Sequence, residues 1–404
     1  MDALTQLIEL PEETRKARGL SDTPREIHQQ PETWLSTLAH LQAQRASIAD
    51  SCRGFGIALA TRQFSQVILA GAGSSDYIGR ALAGLLQQEW ECMVRSVPST
   101  ELLTSLGEYI LPGEPCLMIS FSRSGDSSEG IALLRLALRR YPEQIRHIVI
   151  TCNSDGVMAR APGVVPIVLD EAVNDRGLAM TSSFTNMLIA GQYLAYFQQP
   201  DACETLVQDL SSMAKRLLPP AAELSAQLAQ RGFSRVCFLG SGAVQAAAEE
   251  SALKVLELNA GKIATLAESF LGLRHGPMSF LNRQTLVCAF LSSEEPRQLY
   301  ELDVLEEIRN KRLTDALVVV TPCASARIRG VAEHVIDLQA PDRFPDNVRP
   351  PVDVILGQLL ALFLSIENGV TPDTPSDGAI SRVVSHVKIY SAAVAGRNGQ
   401  GRDF

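Results

Sequence analysis

Residues 64–73 read FSQVILAGAG, and residues 233–242 read FSRVCFLGSG. The two stretches align without a gap at an offset of 169, and their phenylalanine, serine, valine and both glycines are identical. The offset holds within a residue or two further on, where 116–121 matches 285–290 and 148–152 matches 318–323. Each stretch is a short apolar run that ends in small or polar residues, which is typical of a buried parallel strand followed by a loop. The sequence therefore contains one unit twice.

Segments with helical periodicity separate these strands, and they cover residues 76–88, 127–140, 243–259 and 296–310. Alternating strands and helices predict a doubly wound α/β fold. We expect two tandem α/β units, each a three-layer α/β/α arrangement around a mainly parallel, flavodoxin-like sheet.

The predicted domain boundaries follow from this repeat. They are a helical N-terminal arm at 1–44, a first unit at 45–200, a linker helix at 201–214, a second unit at 215–370 and a C-terminal tail at 371–404. The helix that begins in the linker is expected to be interrupted at Pro219 and Pro220. Within the tail, residues 383–390 are predicted to form one last short strand.

Composition narrows the function classes. The 404 residues are 46% hydrophobic and 20% charged, so the chain can bury more than one core and is not disordered. A net charge of −9 disfavours nucleic acid and anionic membranes as partners. The N-terminus has charges inside its apolar runs, unlike a signal peptide, and the apolar run at 354–366 is shorter than the roughly 20 residues that span a bilayer. Eight cysteines without a CxxC pair favour a reduced, cytoplasmic protein without a zinc site.

Two loops of the first unit are candidate phosphate-binding loops. Residues 71–76 (GAGSSD) and 120–129 (SFSRSGDSSE) follow neighbouring strands and lead into helices. Glycines allow close backbone approach, helix N-termini offer free N–H groups, and serine hydroxyls donate hydrogen bonds, which together suit one phosphate group. The candidate phosphate ligands are Gly73, Ser74, Ser75, Ser122, Arg123, Ser124 and Ser127. The alternative is that these residues only cap helices and form tight turns.

Other phosphate sites are less compatible with the sequence. The Walker ending Gly-Lys-Ser/Thr is missing and the GxGxxG pattern is incomplete, so nucleotide binding is disfavoured. In the second unit the equivalent loop reads LSSEE at residues 291–295, where carboxylates would repel an anion. We therefore expect only the first unit to hold the phosphate.

The second unit supplies candidate acid–base residues. Glu250, Lys254 and Glu257 are spaced i, i+4 and i+7, which places them on one face of a helix. A carboxylate held near an ammonium group stays ionised and suits proton abstraction next to a carbonyl or imine. The alternative is an ordinary ion pair on a solvated face. His275 lies in the string RHGPM, where the following Gly-Pro predicts a turn, and either moves protons near neutrality or simply binds a loop.

These motifs resemble a known family. The doubled unit, with GAGSS, SRSGDS, ESALK and RHGP, is similar to tandem sugar-isomerase (SIS) domain proteins, which include the isomerase half of glucosamine-6-phosphate synthase. The strings TPREIHQQP at 23–31, NDRGLAMTSSFTNM at 174–187 and SFLGLRHGPMSF at 269–280 resemble the galactosamine-6-phosphate deaminase/isomerase branch, formerly labelled tagatose-6-phosphate ketose/aldose isomerase. The resemblance covers about residues 45–390.

The resemblance implies roles for the candidate residues. Ser75, Ser122, Ser124 and Ser127 would bind the sugar phosphate, and Glu257 would shuttle a proton between C2 and C1. Glu250 and Lys254 would line the same pocket. His275 would assist ring opening from a neighbouring subunit, which implies a homodimer or a higher homo-oligomer with a shared active site. The synthase has a ring-opening lysine before its last strand; the matching position here is Ser385, with Lys388 and His386 as nearby candidates.

The resemblance further implies deamination and isomerisation of an amino-sugar phosphate, without a metal or redox cofactor. D-Galactosamine 6-phosphate and water would give D-tagatose 6-phosphate and ammonium, the reaction of a hydrolase acting on a carbon–nitrogen bond. The alternatives on the same scaffold are an aldose–ketose isomerase, a glucosamine-6-phosphate deaminase and a deglycase. A non-catalytic sugar-phosphate sensor is the alternative of another class, and Glu257 and His275 argue against it.

Overall fold

Two five-stranded sheets organise the molecule, a computed structural model that describes residues 1–59, 63–342, 344–376, 378–385 and 387–390. The first sheet comprises β1 Gln66–Gly71, β2 Met93–Pro98, β3 Cys116–Ser122, β4 Ile145–Thr151 and β5 Val164–Val168. The second comprises β6 Arg235–Gly240, β7 Ala264–Ser269, β8 Thr285–Phe290, β9 Ala316–Thr321 and β10 His334–Asp337.

Both sheets have the same strand order and are parallel. The first runs β2-β1-β3-β4-β5, and the second runs β7-β6-β8-β9-β10, so equivalent strands occupy equivalent places. The offset of 169 joins the first residues of β1 and β6 and also those of β3 and β8. This is the flavodoxin-like order, which places binding loops after the first and third strands. The predicted fold class is confirmed.

Helices cover both sheets and form an N-terminal arm. The arm comprises α1 Ala3–Ile8, α2 Glu12–Arg18, α3 Thr23–His28, α4 Gln30–Ala43 and α5 Arg45–Gly54. The first unit carries α6 Ser74–Trp90, α7 Ser99–Tyr109, α8 Ser128–Arg140 and α9 Ser182–Ala195, followed by α10 Pro200–Ala229. The second unit carries α11 Ala243–Leu258, α12 Phe270–Leu273, α13 Glu295–Asn310, α14 Ala326–Val331 and α15 Pro350–Glu367.

The equivalent helices α6 and α11 pack against each other and join the two units. Arg80 of α6 bridges them, 2.8 Å from Asp76 and 3.1 Å from Glu249. Helices α10 and α15 complete the shared core. Helix α15 is long and apolar enough to span a membrane, but 89% of it is buried inside the protein, as expected of a core helix. This packing places the start of α6 beside the middle of α11.

Two local predictions were wrong. Helix α10 is not interrupted at Pro219 and Pro220, because buried residues on either side, such as Leu218 and Ala221, continue its core-facing stripe. Packing along 30 residues offsets the loss of about 3 kcal/mol that a helical proline causes. In the predicted final strand, 383–385 and 387–390 form no strand. The domain boundaries remain predictions; α10 runs across the predicted end of the linker at residue 214.

Candidate active site

The carboxyl ends of β1 and β3 frame a cavity of about 140 Å³. Gly71 is required at its edge, because a Cβ atom there would lie 2.2 Å from the Ser75 carbonyl oxygen. Gly73 has a φ of 57°, in the left-handed region that favours glycine, and directs the chain into α6. The cavity is therefore bounded by backbone that only glycines allow.

Five of the seven candidate phosphate ligands line this cavity. They are Ser75, Ser122, Arg123, Ser124 and Ser127. Gly73 and Ser74 are not among the lining residues; Gly73 shapes the turn, and Ser74 accepts a hydrogen bond from Lys254 of the second unit. The structure thus brings both predicted loops to one hollow, at the point where α6 and α8 begin. Serine hydroxyls and helix N-termini are donors suited to a phosphate.

Arg123 is buried at the rim of the cavity with only carbonyl oxygens as hydrogen-bond acceptors. Its guanidinium donates to the carbonyls of Leu178 (3.2 Å) and Arg382 (2.5 Å), and its exposed fraction is 5%. Within the described parts of the chain, no carboxylate forms a salt bridge with it. Burial and the neighbouring Arg382 guanidinium lower the pKa of Arg123. A phosphate would supply the negative charge that this cation lacks.

The C-terminal tail forms one wall of the same cavity. Arg382, Val383 and Val384 line it, and the Val384 carbonyl accepts a hydrogen bond from the Ser128 N–H at the start of α8. Arg382 donates to Asn174 Oδ1 at 2.7 Å. Arg382 was not predicted from the sequence, where it stands in a mixed string (SRVVSHVK, residues 381–388) that contains other polar and basic residues.

The structure places the proposed ring-opening candidates of the tail elsewhere. Ser385 is not among the lining residues of the cavity, and the Lys388 ammonium lies over the Tyr390 ring, 4.8 Å from its centre. His386 lies outside the described residues.

Glu250, Lys254 and Glu257 form a cluster that joins the two units. Lys254 Nζ lies 3.2 Å from Glu250 Oε1 and 2.5 Å from Glu257 Oε2, and it donates to Ser74 Oγ at 2.9 Å. The side chains of Glu250 and Lys254 are 0% and 1% exposed, so a solvated ion pair, the alternative considered above, is excluded. Because Ser74 is adjacent in sequence to Ser75, which lines the cavity, the cluster lies next to the candidate phosphate cavity.

Charge is shared unequally within this cluster. Burial raises the pKa of Glu250 to about 7, partly offset by the Lys254 ammonium. Burial alone would lower the pKa of Lys254, but Glu250 and Glu257 together raise it above its usual value. Lys254 is therefore a cation at neutral pH. The Glu257 side chain is 24% exposed and lines an open cleft of about 690 Å³ between α11 and residues 369–371, 374–376, 379 and 380. Of the two carboxylates, only Glu257 is accessible to a substrate.

His275 lies in an exposed turn after α12, as predicted from its sequence. Its ring has no hydrogen bond or ion pair with any described residue, and it is not among the residues lining the two cavities. Neighbouring Arg274 is instead paired with Glu307 at 2.7 Å. Within one chain, no contact joins His275 to the Lys254 cluster.

The sequence and fold of the chain are similar to those of known proteins. A family model described as the SIS domain matches residues 62–196. D-Galactosamine-6-phosphate deaminase AgaS of Escherichia coli is 36% identical over 375 residues, which cover 91% of this chain and 95% of that relative. The chain belongs to the D-galactosamine-6-phosphate deaminase family.

Solved structures similar to this member of the D-galactosamine-6-phosphate deaminase family share its fold. The crystal structure of tagatose-6-phosphate ketose/aldose isomerase from Escherichia coli aligns with a TM-score of 0.81 at 31% identity, covering 92% of this chain and 96% of that one. The C-terminal domain of glucosamine-fructose-6-phosphate aminotransferase from Francisella tularensis aligns with a TM-score of 0.69 at 20% identity, covering 86% and 96%. The second match shows a common fold only.

The string TPREIHQQP of this family member holds a segment over the candidate phosphate cavity. We call residues 174–181 the roof segment: the Leu178 carbonyl accepts from Arg123, and Met180 lines the cavity. Glu26 of α3 accepts hydrogen bonds from the backbone N–H groups of Arg176 and Gly177. The N-terminal arm therefore positions the roof segment, a role that no local sequence pattern indicates.

Glu26 gives this contact a pH dependence. Burial, reinforced by the nearby Asp175 carboxylate, raises the pKa of Glu26 from 4.5 to about 8. Its Oε2 atom is buried and has no hydrogen-bond partner among the described residues, so a negative charge on this oxygen would be uncompensated. Between pH 4.5 and about 8, Glu26 is therefore protonated in the native state and ionised in the unfolded chain. This contribution to stability is complete below pH 4.5 and is lost as the pH rises through about 8.

Replacing Glu26 by glutamine should therefore flatten the fall in stability at alkaline pH. The amide is neutral at every pH and can occupy the place of the protonated carboxyl group. Between pH 5 and pH 8.5 we expect the free energy of unfolding to fall less for Glu26→Gln than for the wild type, measured by urea denaturation at each pH. Equal declines in both proteins would show that Glu26 does not hold the proton.

Proposed function

We propose that the protein deaminates and isomerises D-galactosamine 6-phosphate, giving D-tagatose 6-phosphate and ammonium. The observation that supports this most directly is Lys254, buried between Glu257 and Ser74. It connects an accessible carboxylate to a loop suited to a phosphate. Proton transfer on a phosphosugar requires both a base and a phosphate anchor, and Lys254 links Glu257 in one cleft to the loop that borders the other cavity. The family relationship supports the substrate class.

The reaction follows from these positions. The serine loops and Arg123 bind the phosphate, and His275 of a neighbouring subunit assists ring opening. Glu257 removes the C2 proton, which the C1 aldehyde acidifies, and returns it to C1. The product of this transfer is an imine at C2. Water hydrolyses the imine, breaking the carbon–nitrogen bond, so ammonium leaves and the C2 ketone forms. Because water is consumed, we assign the enzyme to the hydrolases that act on carbon–nitrogen bonds.

Lys254 holds Glu257 in position for this step. Its ammonium group donates a hydrogen bond to Glu257 Oε2 at 2.5 Å. Glu250, with a pKa raised to about 7, lies on the other side of the ammonium. The cluster can therefore adjust its charge while Glu257 carries the proton from C2 to C1. No step in this sequence draws on a metal or a redox cofactor.

Two further proposals follow. Because His275 is exposed and has no contact with the Lys254 cluster in its own chain, we propose a homodimer in which it completes the partner's site. We also propose a cytoplasmic location, because charged sugar phosphates do not cross membranes and are retained inside cells.

The direct test is to assay ammonium and ketose phosphate together. We expect D-galactosamine 6-phosphate to release the two products in equal amounts, and faster than D-glucosamine 6-phosphate or fructosamine 6-phosphate. Faster ammonium release from D-glucosamine 6-phosphate than from D-galactosamine 6-phosphate would indicate a glucosamine-6-phosphate deaminase. Faster release from fructosamine 6-phosphate would indicate a deglycase. Interconversion of galactose 6-phosphate and tagatose 6-phosphate without any deaminase activity would indicate a plain isomerase. Phosphosugar binding without turnover would indicate a sensor.

A further inference from the structure

The loop after β8 binds a carboxylate. Residues 291–294 occupy the place that the phosphate loop occupies after β3, and Glu294 and Glu295 led us to expect that anions would be repelled there. The structure shows instead that this loop surrounds the side chain of Asp346, from the segment before α15. Asp346 is 5% exposed.

Five donors converge on the two oxygens of Asp346. They are Ser292 Oγ, Ser293 N at 2.8 Å, Ser293 Oγ at 2.8 Å, Arg297 at 3.1 Å and Arg349 at 3.1 Å. Two hydroxyls, a backbone N–H and two guanidinium groups are the donors that proteins use for phosphate and sulfate. Arg349 is fully buried and also pairs with Asp353 at 2.8 Å, and Arg297 also pairs with Glu294 at 3.2 Å, so Asp346 shares each cation with a second carboxylate.

The first unit uses its corresponding acid differently. Asp175 also lies between the last strand and the last helix of its unit, but its oxygens accept from Thr181, Ser182 and Ser183 at the start of α9. The serine loop after β3 therefore stays open over its cavity. In contrast, Asp346 makes no cap on α15, whose first turn has no side-chain cap. Its carboxylate is directed at Ser292 and Ser293 in the loop after β8.

We propose that the second unit contains an oxyanion-binding site that the chain fills with its own Asp346. The site would accept a tetrahedral oxyanion, such as phosphate or sulfate, if the carboxylate were removed. Asp346 thereby limits each chain to one phosphosugar site and fixes the start of α15 to the second sheet. The five donors around Asp346, rather than Glu294 and Glu295, determine that this loop binds an anion.

The experiment counts bound inorganic phosphate by isothermal titration calorimetry. We expect Asp346→Ala to bind one more phosphate per chain than the wild type. Sulfate should also raise the melting temperature of Asp346→Ala more than that of the wild type. The measured quantity is the difference in bound phosphate per chain between Asp346→Ala and the wild type. It therefore does not depend on whether the first unit binds phosphate as proposed.

Two matched variants keep the result specific. Asp346→Asn retains the volume of the side chain and should gain no site, whereas Asp346→Ala/Ser293→Ala should lose the gained one. The proposal is overturned if Asp346→Ala gains no phosphate and no additional stabilisation by sulfate. If Asp346→Ala does not fold on its own, sulfate should occupy the place of the missing carboxylate and restore folding. The proposal is therefore also overturned if Asp346→Ala stays unfolded in sulfate while Asp346→Asn folds.

Discussion

Glu257→Gln is expected to reduce ammonium release from D-galactosamine 6-phosphate by about 10³-fold, since a general base typically contributes 10²–10⁴-fold. The amide has the shape of the carboxylate and cannot accept the C2 proton. The serine loops and Arg123 are unchanged, so the affinity for tagatose 6-phosphate should stay within about threefold of the wild type, a change of less than 1 kcal/mol. Initial rates of ammonium release and equilibrium binding of tagatose 6-phosphate check the two parts.

The control for this variant lies on the same helix. Glu249 is also ion-paired, with Arg80, but it belongs to the interface between α6 and α11. Glu249→Gln should therefore keep its activity. If Glu257→Gln retained more than a tenth of the wild-type rate, or if Glu249→Gln lost as much, the base would be a different residue.

The same variant shows whether the site is shared between subunits. Mixing Glu257→Gln with His275→Ala subunits should produce heterodimers in which one of the two sites has both residues intact. With random exchange, activity would recover to about a quarter of the wild type, because half of the dimers carry one complete site. No recovery from subunits that demonstrably exchange would place His275 in the site of its own chain.

The sequence predicted the strands that are buried on both faces. β1, β3, β4, β6, β8 and β9 were found because continuous apolar runs distinguish central parallel strands. The edge strands were missed, since their exposure is mixed; β2 alternates between exposed and buried residues and contains charge. The doubly wound fold followed from the alternation of strands and helices, and the repeat showed that this unit occurs twice.

The site was predictable where its residues share one element. The spacing of Glu250, Lys254 and Glu257 requires only a helix, so their common face could be read directly. The partners of this face are distant in sequence: Lys254 and Ser74 are 180 residues apart, and Arg123 and Arg382 are 259 apart. Only the packing of the two units and the return of the tail bring them together, and neither has a local signal.

The largest expected loss of stability comes from Lys254→Met. The substitution removes the cation between Glu250 and Glu257 and leaves a carboxylate that is 0% exposed without an opposite charge. Breaking a buried ion pair in this way typically costs about 3–5 kcal/mol. The matched control is Arg327→Met, which also removes a cation between two carboxylates, Asp303 and Glu306, but one whose three side chains are all at least 40% exposed. Exposed pairs contribute about 0–1 kcal/mol, so this variant should stay near the wild type.

A second substitution and the pH separate charge from packing. Lys254→Met/Glu250→Gln has no unpaired buried charge, and it should recover most of the lost free energy of unfolding in urea denaturation. The deficit of Lys254→Met should also be smaller at pH 5 than at pH 8. Burial raises the pKa of Glu250 to about 7 even beside Lys254, and without that cation the carboxyl group is protonated over a still wider pH range. A deficit that neither Glu250→Gln nor acid reduces would mean that Lys254 stabilises the interface through its aliphatic chain, and the charge cluster would lose its role in holding the two units together.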